Sequence, residues 1–314
     1  MNKSNKAYFK IARFDHWIKQ LFILPGAWLA WVMSPVDMEK PVLVYLLLGL
    51  LATSFAASAN YVINEWLDAE FDKYHPVKKN RPCVTEGMNP KLVYAEYFGF
   101  VLLALVVAAF INKPVFVTIA VLLIMGIVYN VKPIRTKDIP YLDVLSESVN
   151  NALRFAIGWF CIASAFYPPL SFVMGYWMAG AFLMAAKRFA EYRMIGDPEQ
   201  AKLYRKSFAG YSELRLLLSA IFYGFLAVFF CGVFLIKYKI ELLLIIPFIC
   251  GLFCYYLSIC YKPDSAAQKP EKLFREKWLM LYVAILIIMF FVLYNIRIPG
   301  LDMFLRTDLV AIAP

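Results

Sequence analysis

The chain has little charge and few of the residues that build common soluble active sites. Asp, Glu, Lys and Arg make up 17% of its 314 residues, whereas soluble domains average about 25%. It contains two histidines, His16 and His75, and no cysteine lies at zinc-ligand spacing from either of them. Because neither G-x-x-x-x-G-K-S/T nor G-x-G-x-x-G occurs, the sequence does not support a P-loop or a Rossmann nucleotide-binding unit.

Apolar side chains, in contrast, are abundant. The residues AVILMFWYC account for 62% of the chain, with 27 Phe, 20 Tyr and 7 Trp; this content excludes a disordered chain and a soluble globular enzyme. A helix crosses a bilayer core with about 20 apolar residues. Runs of about that length predict a single all-α integral membrane domain over 1–314, a bundle of about nine transmembrane helices with cytoplasmic cap loops. The predicted spans are 17–34, 41–63, 92–111, 114–131, 143–165, 168–186, 214–236, 240–260 and 278–296. The apolar run in 17–34 is short and follows a basic stretch, so a signal peptide remains an alternative there.

The formal net charge is +10, from 32 Lys and Arg against 22 Asp and Glu. Most of these cations lie before the first span and in the connections between spans 2 and 3, 4 and 5, 6 and 7, and 8 and 9. These segments share one side of the predicted membrane, and the positive-inside rule places that side in the cytoplasm. The sequence therefore predicts a multi-pass inner-membrane protein with a cytoplasmic N-terminus and active site. The charge indicates topology rather than binding to nucleic acid.

A row of polar residues marks the end of the second span. Asn60, Asn64, Asp68 and Asp72 recur every four residues, so they share one face of a helix. Carboxylate and amide oxygens suit a hard cation such as Mg²⁺, and we expect Asn64, Asp68 and Asp72 to be metal ligands and catalytic residues. The alternative is a solvated helix end whose acids offset the lysines that follow.

A basic loop follows directly. Its candidate substrate-binding residues are Lys73, His75, Lys78 and Arg81. Pro76 and Pro82 limit the loop's freedom. Because metal ions beside cations are how proteins hold polyphosphates, the loop and the acids together predict a diphosphate site. A loop that is basic only for reasons of topology is the alternative.

Polar residues also mark the entrance and interior of the fifth span. The connection before it carries Lys132, Arg135 and Lys137, of which Lys132 and Lys137 are candidate substrate contacts. Within the span, the seven- and four-residue spacings place Asp143, Asn150 and Arg154 near one helical face, and these three are candidates too. Charged side chains inside a membrane are costly and point into the bundle. Arg154 either binds a phosphate or headgroup or forms a structural ion pair with Asp143 or Glu147.

A third charged segment begins where the sixth span ends. Its candidate residues are Lys187, Arg188 and Glu191, and it continues to Arg215. This length exceeds a simple turn and predicts a helical cap over the site. An amphipathic helix on the membrane surface is the alternative.

Two strings in these segments resemble a known enzyme family. NEWLDAEFD at 64–72 resembles the first acidic motif of UbiA-type intramembrane prenyltransferases, N-D-x-x-D-x-x-x-D, with Glu65 at the usual first Asp. The longer string NEWLDAEFDKYHPVKKNRP is similar to the decaprenyl-phosphate phosphoribosyltransferase branch, whose motif continues through H-P-x-K-x-x-R-P. KRFAE at 187–191 and RKSFAGY at 205–211 resemble the same branch. The second Asp-rich motif of aromatic prenyltransferases is replaced by Lys187, Arg188 and Glu191.

The resemblance implies a Mg²⁺-dependent transfer of 5-phosphoribose from phosphoribosyl diphosphate to a polyprenyl phosphate, with release of diphosphate. It implies that Lys78, Arg81, Lys187 and Arg188 bind substrate phosphates and that Arg154 binds the lipid phosphate. Two other functions stay open. One is prenyl transfer from a prenyl diphosphate to an aromatic or other acceptor, and the other is transport of an anionic solute. The sequence leaves the oligomeric state open, including a homo-oligomer.

Overall fold

The computed structural model describes residues 3–34, 41–73, 78–262, 265–268, 273 and 276–301. Within these residues the secondary structure is helical and contains no β-strand, as the sequence predicted. The chain separates into two compact units. The first comprises Met1–Val173 and Asp197–Ser212, and the second comprises Met174–Gly196 and Glu213–Pro314. The single domain expected from the sequence stays a prediction.

The first unit is built around one long helix, α3. Its helices are α1 (Lys3–Ile11), α2 (Leu24–Met33), α3 (Val42–Asp72), α4 (Pro82–Thr85), α5 (Pro90–Ala109), α6 (Lys113–Asn130), α7 (Leu142–Ile162) and α9 (Pro198–Tyr204). A 3₁₀ helix, Phe14–Ile23, precedes α2, and short 3₁₀ turns cover Lys78–Asn80, Thr136–Asp138 and Lys206–Gly210. Small buried residues on α3, including Ala52, Ala56 and Ala59, let α5 and α6 approach it closely.

Two glycines bring α2 against α7. A Cβ at Gly26 would overlap the carbonyl oxygen of Phe155, and one at Gly158 would overlap the carbonyl oxygen of Ile23. Small residues at such crossings allow backbones to approach within a membrane, where lipid offers no hydrophobic driving force between helices. As a result the 3₁₀ helix that precedes α2 lies beside α7, and this contact positions part of the polar interior.

The second unit contains most of α8 (Leu170–Ile195), with α10 (Glu213–Tyr238), α11 (Ile246–Cys260) and α12 (Lys277–Asn295). Aromatic packing joins its helices, because the ring of Phe182 on α8 stacks on that of Phe253 on α11 with centroids 4.4 Å apart. The hydroxyl of Tyr282 on α12 donates to the carbonyl of Phe248 at 3.0 Å. This unit is held mainly by apolar contacts.

The helices identify a multi-pass membrane protein, although the count of nine spans is not confirmed. Among the described residues, seven helical segments are long and apolar enough to cross a bilayer. They are Val42–Asp72, Pro90–Ala109, Lys113–Asn130, Leu170–Ile195, Glu213–Tyr238, Ile240–Cys260 and Lys277–Asn295. The predicted span 17–34 is instead a 3₁₀ helix followed by the ten-residue α2. The predicted span 143–165 corresponds to α7, which has 21 residues but carries three charged side chains.

Candidate active site

The last turns of α3 carry the centre of a charged network. Asp68 Oδ1 accepts hydrogen bonds from Arg135 Nη2 at 2.7 Å and from Lys137 Nζ at 2.6 Å. Both cations come from the turn between α6 and α7, more than sixty residues along the chain. Both are buried, each with 6% of its surface exposed. One carboxylate therefore stabilises two cations that water reaches poorly.

Amide groups complete the surroundings of Lys137. Its Nζ also donates to Asn130 Oδ1 at 2.8 Å, and the same oxygen accepts from Asn64 Nδ2 at 2.5 Å. Burial lowers the pKa of Lys137, and the carboxylate of Asp68 opposes that shift. The four-residue spacing of Asn64 and Asp68 thus places an amide and a carboxylate on the side of α3 that receives this lysine.

Arg135 holds the network together and was not among the expected site residues. Its backbone has a φ of +31°, a conformation uncommon for residues other than glycine. Its guanidinium contacts Asp138 Oδ2 at 3.0 Å and the carbonyl of Asn130 at 3.3 Å, in addition to Asp68. It also lies over the ring of Phe71, 5.2 Å from the centroid. The only sign of its role in the sequence was the number of cations in this connection, because Asp68, its partner on α3, lies 67 residues away.

Asp72, one turn after Asp68, has a different cation. Arg81 Nη1 donates to Asp72 Oδ2 at 2.6 Å, and its Nε lies 4.0 Å from Glu65 Oε2. Asp72 and Glu65 are each 4% exposed. Arg81 was predicted to bind a substrate phosphate, and that role stays a prediction. In the structure its hydrogen-bond partner is the carboxylate of Asp72. The site is thus a set of acids that are already matched by cations.

Asp143, a predicted substrate contact, has partners within the protein. It is fully buried, and its two oxygens accept from Ser207 Oγ at 3.0 Å and Tyr211 OH at 2.8 Å. Arg205 Nη1 lies 3.8 Å from Asp143 Oδ2. Asp143 therefore anchors the segment 205–211, and its contact with a substrate stays a prediction. The anchored segment carries Lys206, whose Nζ lies 3.8 Å from Asp138 Oδ2 and 4.2 Å from the centroid of the Phe71 ring.

Arg154 lies deeper along α7 and contacts amides. Its Nε donates to Gln20 Oε1 at 2.8 Å and its Nη1 to Asn151 Oδ1 at 3.2 Å. Glu147, one of the two carboxylates suggested as a partner for Arg154, accepts a hydrogen bond from Tyr129 OH at 2.9 Å, and Asp143 accepts one from Tyr211 OH. An ion pair of Arg154 stays a prediction. Asn150 Oδ1 is buried without a partner in the described part of the chain.

The remaining predicted residues fall in three groups. Lys73 and Lys132 are exposed, and Lys132 borders a surface cavity of about 580 Å³ that Arg135 and Asp138 also line. His75 and the side chain of Lys78 lie outside the described residues. The last group belongs to the second unit, where Arg188, 2% exposed, contacts Glu191 Oε2 at 3.2 Å and Lys187 is half-buried. The participation of all these residues in the site stays a prediction.

The side-chain oxygens at the end of α3 can be compared with the ligands that Mg²⁺ requires. The described residues contain no group of three or more His, Cys, Asp or Glu side chains placed to hold a metal. Asp68 and Asp72 nevertheless offer two carboxylates one helical turn apart on α3. Mg²⁺ is commonly held by one or two carboxylates plus substrate phosphates. The residues therefore fit a metal that is shared with a phosphorylated substrate, and not a cage made by protein alone.

Comparison with known proteins gives two partial sequence matches of similar strength. The chain is 31% identical over 180 residues to "Protoheme IX farnesyltransferase" of Geobacillus thermodenitrificans, which covers 55% of this chain and 57% of that protein. It is 27% identical over 216 residues to "Decaprenyl-phosphate phosphoribosyltransferase" of Mycolicibacterium smegmatis, which covers 65% and 62%. The chain thus spans somewhat more than half the length of these curated relatives.

The fold is shared with a solved structure. A UbiA homologue from Archaeoglobus fulgidus, bound to DMAPP and Mg²⁺, aligns with a TM-score of 0.67 at 23% identity, over 93% of this chain and 100% of that one. A model of the UbiA prenyltransferase family matches residues 21–281, which include the whole charged network around Asp68 and Asp72. The acidic end of α3, the all-helical membrane fold and this match agree. The chain belongs to the UbiA prenyltransferase family.

Proposed function

We propose that this protein transfers 5-phosphoribose from phosphoribosyl diphosphate to a polyprenyl phosphate, on the cytoplasmic side of the inner membrane and within one domain. The observation that supports this most directly is the Arg135–Asp68–Lys137 cluster. Two cations contact one carboxylate and Arg81 contacts the next, and side chains of both charges in one place suit a substrate whose phosphate groups bind a metal ion and cations together.

Each cation has a defined task in this proposal. Arg135 presents a planar fork that can contact two phosphate oxygens at once, whereas Lys137 acts as a compact point charge. Arg81 adds charge beside Asp72. These side chains would hold the diphosphate and offset the negative charge that grows on it as the bond between the anomeric carbon and its oxygen breaks. Mg²⁺, held by Asp68 and Asp72 with Asn64 nearby, would supply further neutralisation of the leaving group.

The acceptor supplies its own nucleophile. A phosphate monoester oxygen of the lipid attacks the anomeric carbon from the face opposite the diphosphate, and the diphosphate leaves with the electron pair. The configuration at that carbon is inverted. Because the phosphate is already an anion near neutral pH, the reaction needs no strong general base. A site whose described part is rich in Arg and Lys and poor in histidine is suited to this chemistry.

Conversion of radiolabelled phosphoribosyl diphosphate tests the proposal. Detergent-purified protein is incubated with Mg²⁺, a polyprenyl phosphate and the labelled donor, and the lipid phase is counted. We expect Mg²⁺-dependent label in the lipid, none with EDTA, and none with the unphosphorylated polyprenol. Failure with several chain lengths would overturn phosphoribosyl transfer.

A second candidate is prenyl transfer from a prenyl diphosphate, which the similarity to a farnesyltransferase favours. The same purified protein is assayed with labelled farnesyl diphosphate and haem, aromatic or glycerol-phosphate acceptors. Product here, with no product from the phosphoribosyl donor, would establish the second candidate. Failure of both donor types would favour an anion transporter.

A further inference from the structure

Lys206 is a further cation beside the charged network at the end of α3. Its Nζ lies 4.2 Å from the centroid of the Phe71 ring, and Arg135 Cζ lies 5.2 Å from the same centroid. Phe71 lies between Asp68 and Asp72 on α3. Lys206 therefore contacts the helical turn that carries both acids of the proposed reaction, although it comes from a distant segment of the chain.

Asp138 joins Lys206 to the same network. Its Oδ2 lies 3.8 Å from Lys206 Nζ and accepts a hydrogen bond from Arg135 Nε at 3.0 Å. Arg135 in turn donates to Asp68. Two side chains, Asp138 and Arg135, thus connect Lys206 to Asp68, and all four residues belong to the first unit.

The contacts of Lys206 leave its ammonium group able to accept a ligand. Its distance of 3.8 Å from Asp138 Oδ2 exceeds that of a direct hydrogen bond between an ammonium and a carboxylate, about 2.7–2.9 Å. The side chain is 47% exposed, and exposed ion pairs contribute little to stability. The ring of Phe71 attracts the cation but offers no acceptor oxygen. A phosphate can therefore bind Lys206 from solvent without displacing a buried partner.

Other residues hold the segment that carries Lys206. The next residue, Ser207, donates to the buried Asp143 at 3.0 Å, and Tyr211 OH donates to the same carboxylate at 2.8 Å. Tyr211 OH also accepts from the backbone nitrogen of Tyr141 at 2.5 Å. These contacts secure the segment, so the weak contacts of Lys206 are not needed for that purpose. They instead determine where Lys206 lies.

A cavity of about 580 Å³ adjoins this group of side chains. Arg135 and Asp138, which connect Lys206 to Asp68, both line it. Its volume is within the range of small-molecule sites, about 300–1,000 Å³. The carboxylates of the group are Asp68 and Asp138, and its cations are Lys132, Arg135, Lys137 and Lys206. This excess of cations over carboxylates favours a phosphate group beside the cavity.

We propose that Lys206 binds the phosphate at C5 of the donor sugar, the phosphate monoester that does not leave in the reaction. The assignment rests on the proposed function, because a prenyl diphosphate carries no phosphate outside its diphosphate group. With the diphosphate at Arg135 and Lys137, the sugar between the two phosphorylated ends lies along the cavity that Arg135 and Asp138 line. Lys206 is thereby a specificity residue that favours a phosphorylated sugar over a prenyl donor.

Binding experiments test the assignment without any transfer reaction. The probes are labelled phosphoribosyl diphosphate, ribose 5-phosphate, inorganic diphosphate and undecaprenyl phosphate, each with Mg²⁺ and the detergent-purified full chain. The lipid is included because its head is also a phosphate monoester. We expect Lys206→Gln to weaken binding of the two phosphosugars about tenfold each, the scale of a charge-assisted hydrogen bond. Binding of diphosphate and of the lipid should stay unchanged.

Two further variants control for charge and for structure. Lys91→Gln removes an exposed cation of the same unit, on α5, and should bind all four ligands as the native protein does. Lys206→Arg keeps a cation that binds phosphate and should retain binding of both phosphosugars. A purely structural role predicts that Lys206→Gln unfolds at a lower temperature and loses affinity for all four ligands, and that result would overturn the assignment.

The remaining outcomes separate this assignment from the proposed function. Unchanged binding of ribose 5-phosphate in Lys206→Gln would overturn the assignment, whether or not diphosphate or the lipid binds more weakly. Phosphoribosyl transfer by the native protein would then still stand. Lys206-dependent binding of ribose 5-phosphate in a protein with no phosphoribosyl transfer would support the assignment and refute the proposed function. A native protein that binds diphosphate but neither phosphosugar would refute both.

Discussion

Arg135 Nη2 lies 2.7 Å from Asp68 Oδ1, although the two residues are 67 positions apart in the chain. The contact joins the end of α3 to the turn between α6 and α7, and Lys137 reaches the same oxygen at 2.6 Å. Removal of one partner from a buried ion pair is far more costly than the pair's net contribution, because it leaves a buried charge unmatched. Asp68 is therefore important for the stability of this region as well as for the proposed chemistry.

The variant Asp68→Asn tests both roles. It keeps the shape of the side chain and removes the charge that Arg135 and Lys137 share, so we expect a loss of about 3–5 kcal/mol in local stability and an activity reduced at least about a hundredfold. Activity is measured as label transfer, and stability as thermal unfolding in detergent. Glu70→Gln, an exposed acid on the same helix, is the control and should change neither. Normal transfer in Asp68→Asn would exclude Asp68 from the reaction.

The variant Arg135→Lys tests the role of the planar guanidinium group of Arg135. Arginine uses separate nitrogens for Asp68, Asp138 and the carbonyl of Asn130, and a lysine ammonium cannot reach all three with the same geometry. We expect the KM for phosphoribosyl diphosphate to rise about tenfold, with a smaller change in the KM for the lipid. Lys91→Arg, at an exposed position on α5, serves as the control. A rise confined to the lipid KM would mean that Arg135 contacts the other substrate.

The parts that the sequence predicted are those that depend on neighbours along the chain. Apolar runs predicted the helical membrane fold, and the four-residue spacing predicted that Asn64 and Asp68 would share a face of α3. In the structure Asp68 accepts a hydrogen bond from Lys137, and Asn64 donates one to Asn130. Periodicity could identify this face because a helix brings residues four apart into contact.

The parts that the sequence missed depend on tertiary contacts. No pattern in the sequence predicted the contact between Gln20 and Arg154, because the two residues lie 134 positions apart. Asp143 was expected at the substrate because a charge inside an apolar run suggests function, and nothing in that run indicated its protein partners Ser207 and Tyr211, which lie more than sixty residues away. The span 17–34 was expected to be one helix, but Phe14–Ile23 is a 3₁₀ helix in which the polar side chain of Gln20 is buried. Spacing along one segment cannot reveal which distant segment supplies a partner.

The pH dependence of activity is expected to depend on Lys137. Burial lowers the pKa of this lysine, so its ammonium is lost on the alkaline side at a lower pH than that of a free lysine, whose pKa is about 10.4. Activity should therefore fall as the pH rises through the folded-state pKa. In Lys137→Arg the side chain stays charged, and we expect the alkaline limb of the transfer profile to move to higher pH.

Stability should change in the opposite direction over the same range. Between the lowered folded-state pKa of Lys137 and its unfolded value, the unfolded chain binds more protons than the native one. The contribution of this group to stability therefore rises with pH. Thermal unfolding measured beside the activity profile separates the two effects. Identical alkaline limbs in the native protein and in Lys137→Arg would show that another group controls the activity.

The anchoring of the segment 205–211 by Asp143 predicts a change in protease sensitivity. In Asp143→Leu, the hydroxyls of Ser207 and Tyr211 lose their common acceptor, and the segment 197–212 should detach from α7 more often. Local opening exposes backbone to proteases in proportion to its population, so we expect trypsin to cleave after Lys202, Arg205 or Lys206 about tenfold faster, which corresponds to about 1.4 kcal/mol of lost anchoring. Gln200→Ala, an exposed change within the same segment, should leave the cleavage rate unaltered. If Asp143→Leu instead raised the KM for a substrate with no change in cleavage, Asp143 would be a substrate contact after all, since only a direct contact would weaken binding while the segment stays closed.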